Sequence, residues 1–226
     1  MSTFTLAQLK TKIQNDLDLL DEDFITALEL TAYINEGISK ASAEIHSLYE
    51  DYFLESANLA LVSGTRFVTA LPTNMYAQKI RAIIYDNGSN KYPIKKIRQL
   101  LEIPHIQAGE DYRYILRNDA TNGMRMDIYP LSRETSTTNI TMWYLRDAKV
   151  LALDADICDI PEFAEFVIQY AKMRCYEKEG HPNYSNAKID METLKKDMVD
   201  TLQSRMDDED NEVLKDFSFY AEFDFD

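Results

Sequence analysis

The sequence is poor in the residues from which most catalytic and cofactor sites are built. Its 6 glycines are dispersed over 226 residues, so neither a P-loop nor a glycine-rich dinucleotide-binding loop can be found. Its 3 histidines, His46, His105 and His181, stand singly and leave no metal-ligand spacing. No serine lies in a nucleophile-elbow context. We therefore predict a protein that is not an enzyme, with no catalytic residue, no cofactor and no metal.

Cysteines and long apolar runs are also scarce. Of the 2 cysteines, Cys175 falls on the apolar face of a predicted helix, which favours a buried free thiol over a disulfide with Cys158. The longest apolar runs are too short to span a bilayer, and Met1 to Lys10 lacks the pattern of a signal peptide. We expect a soluble protein, made in the cytoplasm, with no membrane partner.

Positive charge is the third shortage, since 24 Lys and Arg stand against 39 Asp and Glu, a formal net charge of -15. Duplex DNA is held by neutralising its phosphates, so this chain is predicted to be a poor surface for gripping DNA. A surface that DNA passes without binding is compatible with it. The acidic stretches Asp154-Ala-Asp156 and Asp207 to Asp210 lack the spacing of a calcium loop and are interpreted as solvated faces.

What the sequence does contain is a helix that is apolar around most of its circumference, predicted over about 161–179. Asp159 and Glu162 have capping-box spacing, Pro161 suits a first turn, and Gly180 ends the segment. Its apolar positions are Phe163, Ala164, Phe166, Val167, Ile168, Tyr170, Ala171 and Cys175. Such a helix must be packed on several sides, so we expect it at the centre of the fold.

Three further helices are predicted from apolar spacing at three and four residues. The first, about 5–20, has Thr5 as its cap and Gln8 as the capping-box partner. The second, about 29–52, has an apolar seam suited to packing against the central helix. The last, about 185–206, is expected to end at the acidic run Asp207 to Asp210, which opposes the helix dipole.

Between these helices the apolar period changes to two over about 57–147, which predicts an antiparallel β module. Turn signals divide it at Ser63-Gly64-Thr65, at Asn87-Gly88 and at Asn122-Gly123. The predicted strands are Leu59 to Val62 with Arg66 to Leu71 as a hairpin, Lys79 to Asp86, an edge-like Tyr92-Pro93-Ile94, Tyr112 to Asn118 with Met124 to Tyr129 as a hairpin, and Thr138 to Leu145. One or two turns of helix are expected from Arg98 to Ile103, ended by Pro104. The predicted class is α+β: a bundle of about four helices with an inserted β module, forming one domain over 1–206.

The last residues, 207–226, are predicted to form an extended arm in which aromatic and polar residues alternate. Phe217, Phe219, Phe223 and Phe225 occupy one side, and these are the candidate partner-docking residues. Burying four Phe contributes about 6–12 kcal/mol, whereas ordering ten residues costs about 10–20 kcal/mol. Strand hydrogen bonds are therefore needed as well, either to a neighbouring subunit or to the protein's own sheet.

The succession of these elements resembles a known family. The segments that carry the resemblance are VSGTRFVTALP at 62–72, MDIYP at 126–130, TMWYLR at 141–146, DIPEF at 159–163 and QYA at 169–171. From Leu6 to Leu202 this layout is similar to the head–tail adaptor (connector) proteins of tailed bacteriophages, including the tail-tube adaptor type of short-tailed phages. The Phe-bearing tail from Phe217 is not part of that pattern.

The resemblance implies a structural virion protein at the head–tail junction. It would form a cyclic oligomer of twelve copies, docked between the portal protein and a downstream tail protein, with double-stranded DNA passing through without specific binding. Two alternatives remain open at this point: a carboxylate-dependent cell-wall hydrolase of the virion, and a protein-interaction module that forms no ring.

Overall fold

The computed structural model describes residues 3–18, 24–68, 71–119 and 123–217, with the backbone alone for 206–217. It confirms the α+β class. The chain forms two compact units: a helical unit made of Met1–Tyr52 with Ala148–Asp226, and a β unit made of Phe53–Asp147. The β unit corresponds to the segment in which the apolar period is two.

The helical unit contains four α-helices in the part of the chain that is described. They are α1 Leu6–Leu17, α2 Ala27–Leu48, α3 Ala164–Glu179 and α4 Tyr184–Phe217. Short 3₁₀ turns follow α2 at Glu50–Phe53 and precede α3 at Pro161–Phe163. The predicted first helix reached about residue 20, and its last two positions lie outside the described residues.

Capping boxes start both N-terminal helices. Thr5 accepts from the backbone N–H of Gln8, whose side chain accepts from the N–H of Thr5, as predicted. Thr26 and Glu29 form the same reciprocal pair at the start of α2. Each box satisfies two backbone donors that have no partner within the helix. Because the Thr26 box was not recognised in the sequence, α2 begins two residues before the predicted start.

Helix α3 is the centre of the helical unit, and its packing on several sides is confirmed. Seven of its sixteen residues are buried, and it contacts α1, α2 and α4. Helices α2 and α3 pack tightly at Gly37 of α2, where a Cβ would lie 3.3 Å from side-chain atoms of Val167 and Tyr170. A larger side chain at Gly37 would force the two helices apart. Cys158 and Cys175 are both buried free thiols.

The predicted cap of the central helix is wrong. Its first turn, Pro161–Phe163, is a 3₁₀ turn without a side-chain cap, and the α-helix begins only at Ala164. The carboxylate of Asp159 instead accepts a hydrogen bond of 2.7 Å from the backbone N–H of Lys149. The spacing to Glu162 is correct for a capping box, but the Asp159 carboxylate accepts its hydrogen bond from the preceding loop instead of from the helix.

Two helix ends also differ from the prediction. Helix α2 stops at Leu48, so Tyr52 lies in a 3₁₀ turn rather than on the helical seam. Helix α4 continues through Asp207 to Asp210 and ends at Phe217. The four acidic residues therefore do not stop the helix, and the predicted arm is helical in its first part. An unfavourable dipole interaction at one turn, worth about 0.3–1 kcal/mol, is too small to end a helix by itself.

The ion pair between Glu29 and Lys178 makes a testable contribution to the stability of this unit. Lys178 Nζ lies 2.7 Å from the Glu29 carboxylate and lowers its pKa to about 2, from an ordinary value of 4.5. Glu29→Gln keeps an acceptor for the Thr26 N–H but removes the charge. We expect wild type to be the more stable above about pH 5, with the difference shrinking as the pH falls to about 2.

The sign follows from proton uptake. The unfolded chain binds a proton at Glu29 first as the pH falls, so acid favours unfolding of the wild type but leaves the Gln variant unaffected at this site. Thermal unfolding followed by circular dichroism at several pH values measures the difference. A difference that stays constant from pH 5 to pH 2 would contradict the assignment.

The β unit contains eight strands in the described residues. They are β1 Leu54–Leu61, β2 Phe67–Val68, β3 Met75–Asp86, β4 Lys91–Pro93, β5 Lys95–Lys96, β6 Arg113–Asp119, β7 Gly123–Tyr129 and β8 Ser136–Arg146. They form two four-stranded sheets, ordered β1-β8-β3-β4 and β2-β7-β6-β5. All neighbours are antiparallel except β5 and β6, which are parallel.

The two sheets share one hydrophobic core. Buried side chains from both contribute to it, including Leu59, Ile83, Met126, Ile128 and Met142. The predicted alternation of the last strand is confirmed, because Ile140, Met142 and Tyr144 are all buried in this core. Facing sheets that interlock alternate side chains in this way form a β-sandwich.

The predicted turn at Asn87-Gly88 is confirmed, since it joins β3 to the edge strand β4. The predicted pairing of the next two strands is also confirmed, from Arg113↔Tyr129 to Asp119↔Gly123, while Asn122 of the predicted turn lies outside the described residues. The first predicted hairpin is wrong: a turn does occur at Gly64, but β1 pairs with β8 and β2 pairs with β7, in different sheets. The predicted helical turn is a 3₁₀ helix, Leu100–His105, which includes Pro104.

Candidate interaction surface

Charge is divided unevenly between the two units. Residues 53–147 contain 12 of the 24 Lys and Arg but only 9 of the 39 Asp and Glu, a formal charge of +3. The helical unit contains the other 12 basic residues and 30 acidic ones, a formal charge of -18. The strongly negative chain therefore includes one folded unit that is positively charged.

Much of the positive charge lies on one face of the β2-β7-β6-β5 sheet. Tyr114, Met126 and Ile128 point into the sandwich core, so their strand neighbours lie on the opposite face. Strand register places Lys95 beside Arg113 on that face. We call this surface the basic face, and its residues are Phe67, Lys95, Arg113, Ile115, Arg117, Arg125, Asp127 and Tyr129, together with Arg66, which lies over the Tyr129 ring.

A buried carboxylate organises the centre of the basic face. Asp127 is only 2% exposed, and its oxygens lie 2.7 Å from Arg117 Nε and 3.1 Å from Arg125 Nε. The Arg125 contact is off the direction of a hydrogen bond and acts through charge alone. Arg117 and Arg125 are directly opposite each other across β6 and β7. Since opposed like charges destabilise a sheet, Asp127 offsets a repulsion that this pairing creates.

Aromatic rings contact two guanidinium groups at this face, those of Arg66 and Arg125. Arg66 lies 5.0 Å from the ring centre of Tyr129, and Arg125 lies 5.8 Å from that of Phe67. Cation–π contacts at these distances fix the position of a long side chain and leave its charge in place. The phenyl ring of Phe67 is 46% exposed, so the face combines ordered cations with accessible apolar surface.

Arg113 is only loosely neutralised by its neighbours. The nearest carboxylates, of Glu102 and Glu110, lie 3.8 Å and 3.7 Å away, and all three side chains are about 40% exposed. Exposed pairs at this separation contribute little and are screened by salt. Arg113 can therefore exchange its partners for a carboxylate or phosphate presented by another molecule.

The sheet is also open along part of its β6 edge. Strand β5 pairs with β6 only at Arg113 and Tyr114. From Ile115 to Asp119, no described strand pairs with β6 on the side away from β7. Arg117 and Asn118 are exposed there. A free edge beside a positively charged face is suited to an added strand that carries negative charge.

A second exposed feature lies in the helical unit, in the loop 148–160. Asp156 accepts hydrogen bonds of 2.8 Å from the N–H groups of Ala152 and Leu153, and Asn35 both donates to and accepts from the backbone of Leu151. Lys149, through its hydrogen bond, is the main cause that holds the pKa of Asp156 well below its ordinary value. This ordered loop exposes three apolar side chains, Val150, Leu153 and Ile157.

The same contacts explain the acidic pair Asp154-Ala-Asp156. Asp154 forms an ion pair with Lys10 at 2.9 Å, and Asp156 forms one with Lys149 at 2.8 Å. In addition, no group of three or more potential metal ligands occurs among the described residues. Both carboxylates form ion pairs. The interpretation of this stretch as a solvated face therefore describes only part of their environment.

The structure places only one of the four predicted docking residues. Phe217 is the last residue of α4, and only its backbone is described. Phe219, Phe223 and Phe225 lie outside the described residues. The docking role of these four residues therefore stays a prediction.

No protein-family model matches the chain, and no curated protein matches its sequence. None of the helices in the described ranges has the length and apolarity needed to span a membrane. The resemblance to phage head–tail adaptors stays a prediction.

Sequence reasoning missed the basic face, although two signals were present. The first signal is charge: the whole chain has a net charge of -15, but the segment whose apolar period is two is positive when it is counted separately. Arginine also occupies the outward positions of two strands that the sequence did predict, at Arg113, Arg117 and Arg125. The clustering itself depends on which strands pair, and the parallel strand β5 was not predicted.

Proposed function

We propose that this protein is a non-enzymatic structural component of a bacteriophage virion. It forms an adaptor ring between the portal protein and a downstream tail protein and continues the channel through which double-stranded DNA leaves the head. Its place is the head–tail junction of the virion, after synthesis in the host cytoplasm.

The observation that carries this proposal is the separation of charge within one chain. One folded unit has a formal charge of +3 and the other of -18. A ring requires a heterologous interface, in which one surface of each copy binds a different surface of the next. Units of opposite charge supply two such surfaces, and they oppose arrangements in which two helical units of -18 meet.

The positions of the resemblance motifs support the same function. Gly64 lies in a turn with φ of 76°, Pro130 follows the last residue of β7, and Pro161 begins the turn before α3. These three positions lie at boundaries between elements, whereas the QYA segment lies within α3. The order helices, β module, helices is the order that the adaptor resemblance implies.

The overall charge is suited to a conduit for DNA. A channel that gripped phosphates along its length would slow the passage of the genome, and a net charge of -15 disfavours such gripping. The basic face would have to be turned away from the channel or covered by a neighbouring copy.

Mass measurement on the full chain tests the ring. We expect purified protein, alone or with the portal protein of the same phage, to form one closed oligomer by light scattering and a ring in negative-stain micrographs. Because opposite charges drive the contact, about 500 mM salt should weaken assembly relative to about 50 mM. A monomer at every concentration, unaffected by portal, would contradict the proposal and favour a non-ring interaction module.

The hydrolase alternative has its own decisive result. Turnover of peptidoglycan by the purified protein, abolished by one Asp or Glu substitution that leaves the fold intact, would replace the structural role.

A further inference from the structure

We propose that the C-terminal segment of one copy, residues 218–226, adds as a strand to the free edge of β6 in the neighbouring copy, with its acidic side on the basic face. The inference rests on the proposed ring, because it names the contact between consecutive subunits. It assigns a partner to the open edge and to the incompletely neutralised arginines.

The chemistry of the segment matches both sides of that edge. Alternate positions carry Phe219, Ala221, Phe223 and Phe225, whereas the positions between them carry Tyr220, Glu222, Asp224 and Asp226. An added strand presents these two sets to opposite faces of the sheet. Over residues 207–226 there are nine Asp and Glu and a single Lys, so the segment is strongly negative.

The receiving strand divides its side chains in the complementary way. Arg113 and Arg117 lie on the basic face, whereas Tyr114 and Leu116 face the sandwich core. Leu116 is only partly buried, at the rim of that core. With its acidic side on the basic face, an added segment places carboxylates beside the two arginines and phenyl rings beside Leu116. Shifting the alternation by one residue would bring the wrong side chains to both faces.

The position of the segment allows it to reach another copy. Leu202 is a buried residue of α4, and the helix continues from Gln203 to Phe217, which adds about 22 Å. The nine residues that follow can extend about 30 Å further. A segment that begins so far from the last described buried residue of its helix can reach a neighbouring copy.

The other free edges in the described part of the β unit fit less well. The outer face beside β1 carries Ser56 and Asn58, and no Lys or Arg lies on this strand. The free part of β3 is interrupted at Ala77 and Gln78, which have φ of 45° and 58° and break the register. The terminal strands β2, β4 and β5 are only two or three residues long and offer few hydrogen bonds to an added strand. Among the longer edges described, β6 combines an unbroken register with cations on one side and the partly buried Leu116 on the other.

Cysteine cross-linking between two differently tagged copies tests the contact directly. One copy carries Asn118→Cys on β6, on the side facing Leu116, and the other carries Ala221→Cys or Phe223→Cys. The natural cysteines are both buried. We expect a short bis-maleimide to link the two copies efficiently, with at least tenfold less product for Glu222→Cys or Asp224→Cys, which lie on the other side of an added strand.

Asn58→Cys is the matched control, because it places the same substitution on the free edge of β1. Rings that form normally but give no link to Asn118→Cys would overturn this inference and leave the proposed function standing. A chain that remains monomeric with and without portal would overturn both. Cross-linking only within one copy would assign the segment to its own sheet and overturn the exchange.

Charge exchange provides an independent result. Arg113→Glu should weaken assembly at least tenfold, and a second change of Glu222 and Asp224 to Lys should restore it, whereas Lys91→Glu on β4 should have little effect.

Truncation before Lys215 should leave the folded units unchanged and weaken assembly to a similar extent. If fluorescent duplex DNA binds and Arg113→Glu abolishes this binding while no copies are cross-linked, the basic face serves nucleic acid and the proposal fails.

Discussion

Val167→Asp is expected to prevent the helical unit from folding. The Val167 side chain is 0% exposed on α3, and its Cγ1 lies 3.3 Å from where a Cβ on Gly37 of α2 would be. A carboxylate there would be buried without a partner and would also lack room to reach water. Such a substitution costs about 4 kcal/mol or more, which is comparable with the total stability of many domains.

The milder change Phe166→Ala, at a side chain that is also buried on α3, should cost about 3–5 kcal/mol through the cavity that it leaves. Ile189→Asp is the matched control, because Ile189 on α4 is 64% exposed and an aspartate there stays in water. Far-UV circular dichroism measures the loss of helix for all three variants. Unchanged thermal unfolding of Val167→Asp would show that α3 is not the centre of this unit.

Asp127→Ala is the second change with a large expected effect, and it acts on the β unit. Arg117 and Arg125 are opposed across the strand pair, and the Asp127 carboxylate is the anion that contacts both. Removing one partner of a fully buried charge cluster costs about 3–5 kcal/mol. Because Arg117 is half-exposed, water screens part of the repulsion, and we expect about 2 kcal/mol.

The single tryptophan makes this measurement specific. Trp143 lies on β8, so its fluorescence during urea unfolding follows the β unit. We expect the Asp127→Ala midpoint to fall and to recover partly in high salt, which screens the two arginines. Asp127→Asn, which keeps an acceptor for Arg117 Nε without the charge, separates the hydrogen bond from the electrostatic effect. A midpoint equal to that of the wild type would refute the organising role of Asp127.

The Asp127→Ala change also affects the predicted assembly. If the basic face binds the acidic segment of a neighbouring copy, Asp127→Ala makes the face more positive while loosening the orientation of its arginines. The effect on the fold and the effect on assembly can therefore have opposite signs. Measuring unfolding and ring formation on the same variant distinguishes a surface that attracts by net charge from one that depends on fixed geometry.

What the amino-acid sequence determined by itself was the set of local elements. The Thr5 and Gln8 capping box, the Asn87-Gly88 turn and the alternation of Ile140, Met142 and Tyr144 each act within a few residues, and each is confirmed. These signals can be recognised in the sequence because capping, turn conformation and side-chain alternation depend on nearby backbone groups. The central helix was found for the same reason, from its own apolar positions.

Only the tertiary structure decided which elements meet. The turn at Gly64 joins strands of two different sheets, because β1 finds its partner in β8, which is remote in sequence. Asp159 accepts a hydrogen bond from the backbone N–H of Lys149 in the preceding loop instead of capping the helix that follows it. The basic face exists because β5, β6 and β7 pair in one register, and the choice of non-local partners depends on packing that no single segment encodes.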